Sequence, residues 1–216
     1  MSPRIGLDQI TVLQAAAEIA DTLGTESLSL ATLAKKLNIR TPSLYNHIDG
    51  LPGLRNKLAA HGLHLLHEQL LRAAAGRSGD DAIRACGEAY LAFARMHPGL
   101  YELTLSAPDP GAPEVFQNGQ KLVDLLIRIM EGYRMTEEAA LHAIRGLRSV
   151  LHGFASLEQK GGFGLPLDLD VSFRLLVDAF LTGLHTVNAD IGERRNRKER
   201  SEGEEGEKPD KGGHGE

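Results

Sequence analysis

The sequence predicts an all-α chain, with a three-helix head that carries a helix-turn-helix and an all-helical body behind it. Three observations predict it. Ala and Leu are abundant and no clear strand run is present among the 216 residues. Apolar residues recur at spacings of three and four through most of the chain, the period of a helix with one buried face. Leu28 to Ile48 reads as two short helices around a tight turn, with a polar outer face. The boundaries follow as a head over 1–50, a body over 51–192, and a charged tail over 193–216.

In order along the chain, Met1 to Gly6 is a short arm with one basic residue, Arg4. It is either a disordered terminus or a phosphate or minor-groove contact, as basic arms are in other helix-turn-helix proteins. Leu7 to Leu23 is a helix burying Ile10, Leu13, Ala17 and Ala20, and Gly24 ends it. Ser29 caps the next helix, because its hydroxyl can accept from backbone N–H groups that lack a helical partner. Leu30, Leu33, Ala34 and Leu37 form its inner face, and Asn38 suits the left-handed position after it. Thr41-Pro42 opens a second helix with Leu44 and Ile48 inward. Thr41, Ser43, Tyr45, Asn46 and His47 are then free to face DNA, with Thr32, Lys36 and Arg40 at the backbone or flanking bases.

Leu51 to Ala74 is one long helix with Leu54, Leu58, Leu65, Leu66 and Leu70 in its core stripe. Asp80 is read as the cap of a helix to about Met96, with Ile83, Cys86 or Gly87, Tyr90, Leu91 and Ala94 inward. Leu100 to Leu105 is a short helix, and the prolines of 106–113 exclude regular structure. Glu114 to Tyr133 returns to helix, with Phe116, Leu122, Val123, Leu126, Ile129 and Met130 at helical spacings. Thr136 caps a helix to about Lys160. That helix has one apolar stripe (Ala140, Ile144, Leu147, Leu151, Phe154) and one stripe of small residues that includes Gly146 and Gly153. Val171 to about Val187 is the last helix, with Phe173, Leu176, Phe180 and Leu184 on one side and Ala179 and Gly183 giving a small surface. From Glu193 the composition is charged and glycine-rich, that of a disordered tail. The basic run Arg194, Arg195, Arg197, Lys198 and Arg200 is a solvated segment or a nucleic-acid contact.

The stretch Ser29 to Ile48, with Leu44-Tyr45-Asn46-His47-Ile48 at its end, resembles the DNA-binding region of TetR-family transcriptional regulators. Ile10, Ala16, Ala17, Glu18, Ile19, Ala20, Leu23 and Gly24 are similar to that family's preceding helix. Toward the other end, His152, Gly153, Phe154, Leu157, Glu158, Gly162, Phe163, Gly164, Ser172 and Phe173 resemble the regulatory domain of one branch of the family. The resemblance implies a homodimer joined through a four-helix bundle of the last two helices, a palindromic DNA operator, and a small-molecule effector of unknown identity. It implies a body cavity, for which Tyr90, Phe93, Tyr101, Phe116 and Phe154 are candidate walls and His64, His142 and Arg145 candidate polar groups. The sequence departs from the family at Leu51-Pro52-Gly53, where many members carry a phosphate-gripping lysine; Arg55 is the nearest basic residue.

Composition sets further bounds. The net charge of −5 is against a strongly basic nucleic-acid binder, so affinity needs a weakly basic head and the doubled phosphate contacts of a dimer. Cys86 is the only cysteine, which excludes an intrachain disulfide and fits a reducing cytoplasm. No apolar run is long enough to span a membrane. His61, His64 and His67 are three apart and drift around a helix rather than converge, so no metal site is expected. No nucleophile elbow, phosphate-cradling loop or cofactor motif is present. A ligand-responsive DNA-binding repressor is the leading reading. An all-helical small-molecule-binding protein or enzyme with a vestigial helix-turn-helix is the alternative.

Overall fold

The computed structural model describes residues 8–106 and 111–206, with side chains through residue 187. Helix α1 (Gln9–Leu23) starts at Asp8, whose carboxylate accepts from the Thr11 backbone N–H at 2.7 Å. A 3-10 turn (Thr25–Ser27) leads to α2 (Leu30–Lys36) and then to a 3-10 helix (Thr41–Asn46). Long α3 (Gly50–Ala74) leaves the head and enters the body. There follow α4 (Gly79–Met96), α5 (Pro98–Leu103), α6 (Pro113–Met130), a 3-10 turn (Glu131–Tyr133), α7 (Glu137–Gln159) and α8 (Leu169–Gly206). No strand occurs among the described residues.

One apolar core runs through head and body. Leu33, Leu44, Leu54 and Leu58 at the head end are continuous with Ile83, Phe93, Leu100 and Tyr101 in the body. The α7 stripe is wholly inward as its spacing predicts: Ala140, Ile144, Leu147, Leu151 and Phe154 are all buried. Thr136 caps that helix through the Ala139 N–H.

Several expectations are corrected. Ile10 is 66% exposed, and Val12, Ala15, Ala16 and Ile19 turn inward instead. The second helix of the helix-turn-helix is a 3-10 segment rather than an α-helix. Asp80 does not cap α4; its carboxylate accepts from the Tyr133 hydroxyl and pairs with His185 Nε2 at 2.9 Å. The short helix begins at Pro98, which suits a first helical position. On α6 only Val115 and Met130 are buried; Phe116 is 60% exposed, and the other apolar side chains are half-buried, Leu122, Val123 and Leu126 among them bordering an open space.

On α8 the inward residues are Phe173, Val177 and Leu181, while Leu176, Phe180 and Leu184 lie half-buried beside them. The α8 backbone stays helical through Gly206, across the segment read as a disordered tail. Arg, Glu and Lys are good helix formers, and the run extends a helix already nucleated by packing. The arm with Arg4, residues 107–110 of the proline-rich break, and 207–216 lie outside the described residues.

Candidate nucleic-acid interface and body cavity

The head builds its outer face from short-range rules. The Ser29 hydroxyl accepts from the Thr32 N–H at 3.1 Å and starts α2. Asn38 turns the chain in the left-handed region at φ 53°, and the Ile39 N–H returns to the Ala34 carbonyl. Arg40 follows in extended backbone, so the 3-10 helix leaves at an angle. Leu44 and Ile48 anchor that segment in the core. Gln9 Nε2 of α1 donates to the His47 carbonyl at 3.0 Å and ties down its far end. With both ends held, Arg40, Tyr45 and Asn46 are exposed and Thr41, Ser43 and His47 half-buried.

The head is joined to the body at α5. The Asp21 carboxylate of α1 accepts from the Gly99 and Leu100 N–H groups, both at 2.9 Å, and pairs with His97 Nδ1 at 3.0 Å. An acid from one helix thus caps the N-terminus of another. A Cβ on Gly99 would lie 2.2 Å from the Ala20 backbone carbonyl, so only glycine allows this approach. Thr25 Oγ1 donates to Glu102 at 2.9 Å, and Arg55 donates to the Thr25 carbonyl at 3.1 Å.

The body encloses an open cavity of about 420 Å³ among α3, α4, α6 and α7. Leu63, Leu66, Leu122, Leu126, Ile144 and Leu151 are among its aliphatic walls. Tyr90, Thr104, Ser106 and Arg148 supply its polar edge. Arg148 donates to the Thr104 carbonyl at 3.4 Å. Behind Tyr90 runs a chain of hydrogen bonds: Tyr90 hydroxyl to Tyr101 hydroxyl at 3.1 Å, and Tyr101 to His152 Nδ1 at 2.7 Å. Burial pushes both phenols above the ordinary tyrosine range. Cys86 also lines the cavity; burial pushes its thiol up to about 11, so it is not a ready nucleophile.

A head with this turn geometry on a hollow helical body has well-defined relatives. Residues 83–180 match the family described as tetracyclin repressor-like, C-terminal domain. The chain is 42% identical over 191 residues to the HTH-type transcriptional regulator YobS of Bacillus subtilis (strain 168), covering 88% of this chain and 100% of that one. The chain belongs to the TetR family. It is a DNA-binding transcriptional regulator. It is 31% identical over 179 residues to the HTH-type transcriptional regulator Rv0681 of Mycobacterium tuberculosis (strain ATCC 25618 / H37Rv), covering 82% of each chain. A solved structure from Rhodococcus sp. RHA1 superposes with a TM-score of 0.73 at 25% identity, over 86% of this chain and 100% of that one. A TetR variant from Acinetobacter baumannii AYE, in complex with minocycline, superposes at 0.66 and 20% identity, over 84% and 98%. That last likeness shows the fold.

Within this TetR-family frame the residues singled out in the sequence separate clearly. Of the head residues, Arg40, Tyr45 and Asn46 are exposed and Thr41, Ser43 and His47 half-buried. Lys36 is exposed beside them and pairs with Glu18 at 2.8 Å; a surface pair of that kind is weak enough to exchange for a phosphate. The Thr32 hydroxyl is engaged with Ser29 at 2.8 Å. Arg55 turns back onto the head's own backbone rather than replacing the family's lysine.

Of the cavity candidates only Tyr90 lines the space. Phe93 and Tyr101 are core residues behind it, and Phe154 packs against Phe163 and Phe173. His64, Phe116, His142 and Arg145 are exposed and lie off its lining. Arg148, Thr104 and Ser106 take the polar role, and a signal for Arg148 was present. It falls within the Ile144–Leu147–Leu151 stripe, whereas Arg145 is out of phase with it. No helix among the described residues is long and apolar enough to cross a membrane.

Proposed function

We propose that this chain is a cytoplasmic homodimeric repressor that holds a palindromic operator and releases it when a small molecule fills the body cavity. The observation that carries this reading is that cavity and head share α5. Thr104, Leu105 and Ser106, directly after α5, border the cavity. The other end of α5 is seated on α1 by Asp21. A ligand that prefers a different placement of α5 changes the placement of the head, and thermodynamic linkage then lowers DNA affinity. Thr41, Ser43, Tyr45, Asn46 and His47 read DNA, with Arg40 and Lys36 on phosphates. Two heads engage successive major grooves about 34–36 Å apart, or a multiple of it.

The test is selection of genomic DNA fragments on the full-length protein, followed by footprinting of the enriched fragments. Enrichment of a palindromic site, with occupancy lost on adding an effector, is the expected result. An absence of any enriched sequence would leave only a helical small-molecule-binding protein.

A further inference from the structure

We infer that the cavity takes an amphiphile with one anionic head and an aliphatic body, seated with its head at Arg148. This inference rests on the cavity being a ligand site, as proposed above.

Arg148 is the only ionisable cation or anion among the described lining residues, apart from the thiol of Cys86 and the phenol of Tyr90. Arg84 and Arg95 elsewhere on the body are each held by carboxylates. Arg148 has no carboxylate partner among the described residues; its one hydrogen bond to a backbone carbonyl is long, at 3.4 Å. A guanidinium has five donors in a planar fork that matches a carboxylate. It lies exposed at the open edge of an apolar space, so an anionic head set there keeps its access to water while the rest of the ligand is buried.

The neighbours of Arg148 do not supply that partner. The Thr104 hydroxyl is committed to the Tyr101 carbonyl at 2.7 Å. The Tyr90 hydroxyl is in the chain to Tyr101 and His152 and also meets the Arg148 guanidinium, but as a neutral phenol it leaves the positive charge unmatched. If that chain is donated from His152 outward, the Tyr90 proton points onward and adds a second donor for the same anion. Ser106, on the same edge, offers a third hydroxyl.

The remaining wall chooses the body of the ligand. Leu63, Leu66, Leu70, Leu122, Leu126 and Ile144 are branched aliphatics, and Tyr90 is the only aromatic ring among the described lining residues. A flat polycyclic ligand would find one ring to stack on. A flexible alkyl body fills such a space by dispersion and loss of hydration alone.

The experiment compares dodecanoate, dodecanol and dodecyltrimethylammonium, each below its micellar concentration, by calorimetric titration of full-length protein without DNA. Dodecanoate should saturate at one per chain. Dodecanol should bind at least about tenfold more weakly, and the cationic probe without saturation. Arg148→Gln should lower dodecanoate affinity at least about tenfold and leave dodecanol within about twofold, while Arg148→Lys keeps a preference for the acid. If Arg148→Gln loses dodecanol too, the Arg148→Lys variant decides, and loss of its preference for the acid overturns the inference. Equal binding of acid and alcohol by the wild type, or no saturable binding of dodecanoate, also overturns it. A protein that selects an operator but shows no preference for the acid keeps the proposed function and loses this inference. One that binds dodecanoate but selects no DNA does the reverse.

Discussion

Tyr45 and Asn46 are exposed because Leu44 and Ile48 beside them are not. Between those anchors Tyr45 and Asn46 turn outward, while His47 stays half-buried. Tyr45→Phe removes a hydroxyl suited to phosphate and should weaken binding to all sequences alike. Asn46→Ala should relax preference at one base position, at about 1–3 kcal/mol per lost bidentate contact. Competition binding against operators substituted at each position separates the two; unchanged affinity in a Tyr45→Ala, His47→Ala double variant would sink the assignment. His61 offers a second residue-scale test. Burial pushes its imidazole below the ordinary histidine value, and the nearby His64 and His97 push the same way. The folded state therefore holds the neutral form while the unfolded state takes up a proton near about pH 6.5. The stability that depends on this is full above that pH, falls as the pH drops toward the depressed folded value, and levels off below it. Urea midpoints measured from about pH 7.5 to 5 should fall less steeply in His61→Gln than in the wild type.

At the scale of elements, the α1–α5 joint is the place where small changes have large effects. Asp21→Ala strips the cap from α5 and leaves the Gly99 and Leu100 N–H groups without their acceptor. A loss of about 0.5–2 kcal/mol is expected from urea unfolding. Gly99→Ala should cost about 1–3 kcal/mol, since the two helix backbones must separate to admit the methyl group. Gly119→Ala is the matched contrast. It lies mid-helix on α6 with no atom within 4 Å of the added Cβ, so it should stabilise by about 0.5–1 kcal/mol. If all three variants unfolded at the same urea concentration, the joint would have no special place in the fold.

For the whole molecule, the homodimer proposed above would be joined through the faces of α7 and α8 turned away from the core. Leu157 on α7 and Val171, Leu175 and Val187 on α8 are exposed, and Leu175 reaches 64%. Val171 and Leu175, four apart, share one face of α8, and apolar residues exposed together mark an interaction surface. The glycines divide between two roles here. A Cβ added to Gly146 would lie 3.4 Å from the Phe180 ring of its own chain, so this glycine serves the α7–α8 contact. A Cβ added to Gly153 or Gly183 would meet nothing within 4 Å beyond its own helix, which leaves room for another backbone. Gly183→Glu or Gly153→Arg should yield monomers by sedimentation at micromolar concentration, with weak DNA binding by isolated heads. A wild type that sediments as a monomer would remove the paired-groove reading altogether.

The helices and several of their end signals were determined by the sequence itself, although Asp80 does not cap α4 and the second helix of the head is 3-10. Asp8 was not singled out, but Ser29, Asn38 and Thr136 act where their side-chain chemistry places them. The α7 stripe is buried as its spacing requires. These are local properties: a cap or an apolar period depends on residues within a few turns. The tertiary structure decided which face of each helix meets which neighbour. On α8 the stripe Phe173–Val177–Leu181 took the core, because two overlapping apolar faces compete there and only packing against α4 and α7 chooses. Ile10 lost its place to Val12 for the same reason. The cavity edge joins Tyr90, Thr104 and Arg148, and the joint brings Asp21 to Gly99. Neither has a short-range signature, since periodicity fixes the phase of a side chain on its own helix and not the distance between helices.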